Sequence, residues 1–268
     1  MRATSCGRPG PCLGPCPQPH PCLRLRLRLA PPARRQHGAV LLILLAVLAL
    51  AGSSLLMSAF GASTVETRRA QRTQMLLAQA TDALTGFAAA NGRLPRPAIS
   101  ATDGRERPLP CASDEQCTGY LPWVALGVAG EDAWGKRLRY SVTPAFTSYD
   151  YQPATAVATR TVQQRGADGE LHYLAGGPAC TARTRCAALV VLSHGKNNYG
   201  VSTEGVEQAS PGLANEDETV NASTSTHFVT RVASTDPNAP GGEFDDQLAW
   251  LTLQPLYARM RASRTLPN

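Results

Sequence analysis

A continuous helical pattern over residues 39–90 restricts the fold of this chain more than any other feature. Its first part, residues 39–57, carries no charge, and the first charged residue after it is Glu66. At 1.5 Å per residue the apolar part extends about 28 Å, close to the hydrocarbon thickness of a bilayer. The pattern continues without the small-residue cleavage site that ends a secretory signal. We therefore expect a membrane-spanning segment.

The second part of the pattern is amphipathic, because its apolar residues recur at three- and four-residue spacings and so share one helix face. They are Leu76, Leu77, Ala80, Ala83, Leu84, Phe87 and Ala88. Asn91 and Gly92 form a helix-ending signal, and Pro95 and Pro97 prevent continuation. The first half of such a helix is predicted to lie in lipid or in a bundle of its own kind. The second half is predicted to pack on a globular head.

Positive charge is concentrated ahead of this helix. Residues 1–38 hold seven of the 26 basic residues and no acidic one, so the rest of the chain holds 19 basic and 20 acidic residues. A net charge near zero on the folded part argues against a nucleic-acid-binding protein. Basic residues before an apolar span keep that end in the cytoplasm. The sequence therefore predicts a single-pass inner-membrane protein with its C-terminal head in the periplasm.

Three regions follow from these patterns. Residues 1–38 are predicted to be a basic disordered leader with a start codon that is open to question, because their Pro-, Arg- and Cys-rich composition cannot bury a core. Residues 39–91 are predicted to form the transmembrane and amphipathic stem helix. Residues 92–268 are predicted to form the head. The fold class expected is α+β, with a long N-terminal helix packed on a small, mainly antiparallel β head.

Strand and cysteine patterns describe the head further. The segments RLRYSVT, HYLAG, ALVVLSHG and THFVTRV are rich in β-branched and aromatic residues and are separated by turn residues, as strands are. Cys111 precedes Cys117, and Cys180 precedes Cys186, with five residues between the members of each pair. Short separations in an oxidising compartment favour closure of two local loops, the alternative being free thiols in a reducing one.

Few features of the sequence support a hydrolase function. Ser193 and His194 are adjacent at the end of a predicted strand, with Asp245 and Asp246 available to orient a histidine. Adjacent residues on a strand point to opposite faces, however, and the chain lacks a Gly-x-Ser-x-Gly elbow. We expect no enzyme activity, no catalytic residues and no small-molecule substrate.

Four ordered segments resemble type IV pilins and the pseudopilins of type II secretion systems. The basic run that ends at Gly38 before an apolar helix resembles a prepilin leader. LTGFAAANGRLPRP resembles the end of the pilin stem, and LPWVALGVAGEDAWGKRLRYSV resembles the pseudopilin Asp-x-Trp-Gly stretch. VVLSHGKNNYG, with GGEFDDQLAWL, resembles the turn and acidic loop that close the head. The resemblance implies a pilin-like fold, cleavage between Gly38 and Ala39 by a prepilin peptidase, and packing with other pilin-like subunits.

One departure from the family bears on the role of the subunit. Major subunits carry Glu at the fifth mature position, where this chain has Ile43. An N-terminal amine without that carboxylate is costly in an apolar interior. We therefore expect a minor or tip subunit of an inner-membrane-anchored filament or secretion machine. The alternative is an unprocessed, single-pass anchored periplasmic domain that binds a partner.

The resemblance also implies a calcium site, since some major pseudopilins bind calcium in the matching loop. Calcium needs several oxygen ligands. The residues placed to supply them are Asn197, Asn198, Glu243, Asp245 and Asp246. The alternative is a hydrated acidic turn, and no other cofactor is expected.

Overall fold

The structure is a computed structural model that describes residues 37–150, 152–208 and 215–266, with side chains except at 37, 39 and 52–62. The predicted leader falls almost entirely outside these residues. The chain divides into two compact units, Met1–Leu55 and Leu56–Asn268, which are described separately.

The helices and strands follow one another along the chain as an α+β arrangement. The helices are α1 (His37–Asn91), α2 (Trp123–Leu126), α3 (Glu216–Ala222) and α4 (Leu253–Ala262). The strands are β1 (Thr118–Tyr120), β2 (Arg139–Val142), β3 (Thr161–Arg165), β4 (Leu171–Ala175), β5 (Ala187–Ser193), β6 (His227–Thr230) and β7 (Gln247–Thr252). The strands predicted in RLRYSVT, HYLAG, ALVVLSHG and THFVTRV are confirmed as β2, β4, β5 and β6.

The first unit contains the beginning of α1, where the large apolar side chains between positions 40 and 50 are 53% to 70% exposed. A helix that crosses a bilayer core of about 30 Å needs roughly 20 predominantly apolar residues. Within the described residues, no helix is both long and apolar enough to cross a membrane. The predicted membrane-spanning half of the helix is therefore wrong. The fold class that included it, the inner-membrane localisation and the anchored-domain alternative are corrected with it.

In the second unit, the later part of α1 buries one face. Buried positions recur at three- and four-residue spacings at Thr73, Leu77, Ala80, Leu84 and Ala88, and Ala89 is buried beside the last of them. The predicted apolar face is thus centred correctly, with Leu76, Ala83 and Phe87 half-buried at its edges. The helix ends at Asn91, where Gly92 takes a φ of +72° and donates its N–H to the Ala88 carbonyl.

Two sheets lie beyond this helix in the second unit. The larger has the strand order β1-β2-β5-β7 with every neighbouring pair antiparallel. The smaller has the order β4-β3-β6, in which β3 pairs antiparallel with β4 and parallel with β6. The sheets are therefore mainly antiparallel.

Strand β5 is buried along its whole length because it has a layer on each side. Leu189 and Val191 pack in the cluster that contains Leu84 of α1, whereas Val190 packs with Phe228 of the smaller sheet. An unbroken apolar strand is the pattern that burial on two faces requires. The layers are thus helix, larger sheet and smaller sheet.

Arg160 links the two sheets from a fully buried position just before β3. Its backbone pairs with Ala187 of β5. Its side chain donates to the hydroxyl of Ser141 at 3.0 Å and to the carbonyl of Val142 at 2.6 Å, and it forms an ion pair with Asp114. Burial lowers the pKa of this guanidinium below its usual value, although the bond to Asp114 opposes the effect.

Both predicted cysteine pairs are confirmed. Cys111 is bonded to Cys117, and Cys180 is bonded to Cys186. The first bond closes the loop before β1, and the second closes the loop before β5. Closing short loops of this kind stabilises a fold by about 2 kcal/mol each.

Candidate functional site

Three of the segments singled out in the sequence meet near the end of β5. The turn around Asp132 is joined to β5 by the Ser193 hydroxyl, which donates to the Asp132 carboxylate at 2.6 Å. The turn after β5 is joined to the acidic loop by the N–H of Asn197, which donates to Asp245 at 2.8 Å. We call this region the closing cluster, composed of residues 131–137, 193–200, 215–221 and 243–246.

Asp132 organises the first segment of the closing cluster. Its buried carboxylate accepts the N–H groups of Trp134 and Lys136 at 2.8 and 2.9 Å, as an Asx turn does. The same turn contacts α1, because the Trp134 indole N–H donates to Glu66 at 3.0 Å and the Ala133 N–H donates to Thr73. The turn therefore ties the closing cluster to the later part of α1.

Three carboxylates of the closing cluster lie close together. Oxygens of Glu218, Asp245 and Asp246 are all within 4.8 Å of one another. Glu218 accepts the Asp245 N–H at 2.7 Å and the Asn198 side-chain amide at 2.9 Å. Asp246 accepts the Asn221 amide at 2.8 Å. Protein donors thus satisfy much of the acceptor capacity of these groups.

Burial is the main cause that raises the pKa of Asp245 to about 7; Glu218 and Asp246 also raise it, whereas the Asn197 N–H and the Lys136 ammonium oppose the change. Burial also raises the pKa of Glu218, with Asp246 adding to the effect. One oxygen of Asp245, Oδ1, is buried without a hydrogen-bond partner. Burial and the mutual repulsion of these carboxylates therefore favour the protonated forms of Asp245 and Glu218.

The structure brings together only part of the predicted calcium set. Asp245 and Asp246 belong to the carboxylate group, but Glu243 does not. Asn198 offers its side-chain amide as a donor to Glu218, and Asn197 offers its carbonyl to a lysine. Calcium binding at this site stays a prediction.

Sequence reasoning missed Glu218, which lies in the run NEDE at 215–218. Such a run reads as a solvated surface, yet Asp217 and Glu218 are each only 1% exposed. Asp217 is held by ion pairs with Arg165 and Arg231 at 2.7 and 2.9 Å. The acidic residues at 216–218 gave no local signal of burial in the sequence.

Lys136 was missed as well, and it is 6% exposed. Its Nζ donates to the carbonyl oxygens of Asn197 at 2.8 Å, Asn198 at 2.9 Å and His194 at 3.4 Å. A buried ammonium is costly unless it is hydrogen-bonded. These three carbonyls supply the partners.

Ser193 and His194 do not act on each other. The Ser193 hydroxyl donates to Asp132, while His194 Nδ1 lies 3.3 Å from Asp246. The two side chains bind different carboxylates, as expected for adjacent strand positions. Their contacts are those of a structural network.

The predicted cleavage position lies in the first unit. Gly38 and Ala39 fall within the first turn of α1, and Gly38 is exposed. Ile43 is 64% exposed.

Comparisons with models of known protein families, with curated proteins and with solved structures find no match to this chain.

We expect Asp245→Asn to change how the stability of the protein depends on pH. A folded-state pKa of about 7, against 3.8 ordinarily, means that the folded chain holds a proton that the unfolded chain has released. This contribution to the free energy of unfolding is fully present below about pH 4 and is lost as the pH rises to about 7. Asparagine does not titrate, and its amide oxygen can take the place of Oδ2 of Asp245, which accepts the N–H of Asn197.

Urea unfolding of the native chain and of the variant, at pH values spaced between about 4 and about 8, measures the difference. The free energy of unfolding of the native chain minus that of the variant should fall as the pH rises across this interval. Parallel pH profiles for the two proteins would contradict the prediction.

Proposed function

We propose that the chain is a non-enzymatic, pilin-like structural subunit that assembles with other pilin-like subunits through the beginning of α1, after a prepilin peptidase cuts between Gly38 and Ala39. The observation that carries the proposal is the exposed apolar helix surface at positions 40–48. The four ordered segments that resemble pilins and pseudopilins support it.

The exposed surface surrounds the helix. Large apolar side chains occupy every position from 40 to 48 except Ala46, and each is more than half exposed. Because successive residues are about 100° apart around a helix, these side chains point in all directions. A helix that is apolar all round is normally buried, and a large exposed apolar surface marks an interaction site.

Other helices of the same kind are the occupant that fits this surface. Two environments suit such a helix, lipid and a helix bundle, and no described helix qualifies as a membrane span. A bundle covers all sides of the segment at once. In the second unit, by contrast, α1 already buries Leu77 and Leu84 in the head. The subunit thus offers its first helical part for assembly.

Ile43 favours a role at low copy number. In a bundle interior of low dielectric, the free amine of Ala39 would need a compensating charge, and isoleucine provides none. An apolar residue at this position suits a subunit with no predecessor to neutralise. We therefore place the chain at the tip of a filament or at its initiation, as a minor component.

A pair of substitutions within the exposed segment tests the assembly. Leu44→Lys with Leu48→Lys places two charges one turn apart at sites 55% and 60% exposed. In the full chain, expressed with the pilin-like subunits of its own cell, we expect the amount that sediments with sheared filaments to fall at least about tenfold, because burying both charges is costly. Met75→Lys is the matched control, since Met75 is an apolar residue of the same helix and is 60% exposed.

Two further readings of that preparation complete the test. Peptide mapping of the sedimented native chain should find Ala39 at its N-terminus, and quantitative mass spectrometry should find the chain in a few copies per filament. Unchanged sedimentation of the double variant would contradict assembly through α1. An intact Gly38–Ala39 bond would contradict processing, and a predominant copy number would contradict the minor role.

A further inference from the structure

The calcium site that the family resemblance implies can be tested against the contacts of the residues themselves. Calcium requires six to eight oxygen ligands at about 2.3 to 2.6 Å. The carbonyl oxygens of Asn197 and Asn198, which the turn would contribute, already accept hydrogen bonds from Lys136. Glu218 accepts three N–H donors. An ion in this turn would have to displace an ammonium group, so the residues do not fit calcium.

We infer that the ammonium group of Lys136 is the built-in cation of the closing cluster and holds the turn at 194–200 in the way that a bound metal ion would. The group has the contacts of a bound ion, since its Nζ lies against three backbone carbonyls of one turn. It also lies in the field of acidic groups, which are Asp245, Asp132, Asp246 and Glu218. Burial lowers the pKa of Lys136, and these four carboxylates oppose that change.

The turn needs such a cation because its backbone directs carbonyls inward. Asn198 and Tyr199 have φ values of +38° and +41°, which cost a residue other than glycine roughly 1 kcal/mol each. The carbonyls of Asn197 and Asn198 are the ones that Lys136 holds. Donors at these oxygens offset the backbone strain.

The stem of the lysine is packed as closely as its head group. Gly200 has a φ of +84°, and a Cβ placed there would lie 2.9 Å from Cδ of Lys136 and 3.3 Å from the His194 side chain. The absence of a side chain at Gly200 therefore makes room for the lysine. The packing of the stem and the carbonyl contacts of the head group therefore hold the ammonium in one position.

Removing the ammonium should make the fold depend on an added cation. In Lys136→Ala, three carbonyls lose their donor and the surrounding carboxylates lose their compensating charge, while the missing side chain leaves space for an ion. In Lys136→Met, the apolar stem fills most of that space. The native chain, by contrast, carries its cation with it and should not respond to calcium.

Thermal unfolding of the full chain, followed by tryptophan fluorescence, tests this inference. Native chain, Lys136→Ala and Lys136→Met are compared in EDTA, in calcium chloride and in methylammonium chloride at matched ionic strength. We expect the native Tm to be the same in all three within about 1 °C, and both variants to lose at least about 5 °C in EDTA. Calcium or methylammonium should restore half or more of the loss in Lys136→Ala and little in Lys136→Met.

Lys196→Ala is the matched control, because Lys196 lies in the same turn but is exposed. We expect its Tm to match that of the native chain in all three solutions. If Lys136→Ala does not fold in EDTA, it is refolded from urea with and without each cation, and recovery only with a cation supports the inference.

Three results would overturn it. One is a rise of several degrees in the native Tm on adding calcium. Another is a Lys136→Ala protein that responds to neither cation, in unfolding or in refolding, which would leave the lysine a packing role alone. The third is a Tm in EDTA that equals that of the native chain for both Lys136→Ala and Lys136→Met.

Discussion

Replacing Arg160 with alanine is expected to lower the free energy of unfolding by about 3 to 4 kcal/mol. The substitution leaves the Val142 carbonyl and the Ser141 hydroxyl without their donor in a fully buried place, and it opens a cavity between the two sheets. Loss of the ion pair with Asp114 adds less to the destabilisation, because the Asp114 side chain is 42% exposed.

Urea unfolding measures this loss, with Arg105→Ala as the control. Arg105 also pairs with an aspartate, Asp103, but its side chain is 71% exposed, so we expect no measurable change. Arg160→Lys keeps the charge but cannot make all the hydrogen bonds, and it should fall between the native chain and Arg160→Ala. Equal midpoints for Arg160→Ala and the native chain would show that the two sheets do not depend on this side chain.

Replacing Leu84 with alanine is expected to cost about 3 kcal/mol, within the range known for a fully buried leucine. Leu84 is 0% exposed and belongs to the cluster that contains Leu189 and Val191 of β5. The substitution tests whether the later part of α1 is part of the core of the head, because an undocked helix would lose almost nothing.

Met75→Ala is the matched control for that measurement. It shortens a side chain in the same helix at a position that is 60% exposed. We expect its unfolding midpoint in urea to stay within error of the native value. If both variants unfold like the native chain, the packing of α1 on the head is wrong; if both are destabilised alike, the loss comes from helix propensity instead.

Local patterns in the sequence were enough for several features of this protein. The spacing of apolar residues located the buried face of α1, and Asn91 with Gly92 located its end. The five-residue separations were enough for the pairing of Cys111 with Cys117 and of Cys180 with Cys186. In each case the partners are neighbours along the chain, so geometry over a few residues decides the outcome.

The composition of the apolar helix did not determine whether lipid or other helices surround it. Leu44 and Leu48 have the same hydropathy whether lipid or other helices surround them, and the prediction of a span took the first environment. Within the described part of the chain, no helix is long and apolar enough to be that span. What covers such a helix depends on partners that its own sequence does not encode.

Only the tertiary structure decided the places of the buried charges. Lys136, Arg160 and Glu218 each read as surface residues, because an ionised side chain is stable in water and costly to bury. These side chains can be buried because segments distant in sequence supply carbonyls, a hydroxyl and an N–H group at hydrogen-bonding distance. Val142 is 18 residues from Arg160, Asp245 is 27 from Glu218, and Asn197 is 61 from Lys136. No periodicity or spacing along the chain records that these pairs meet.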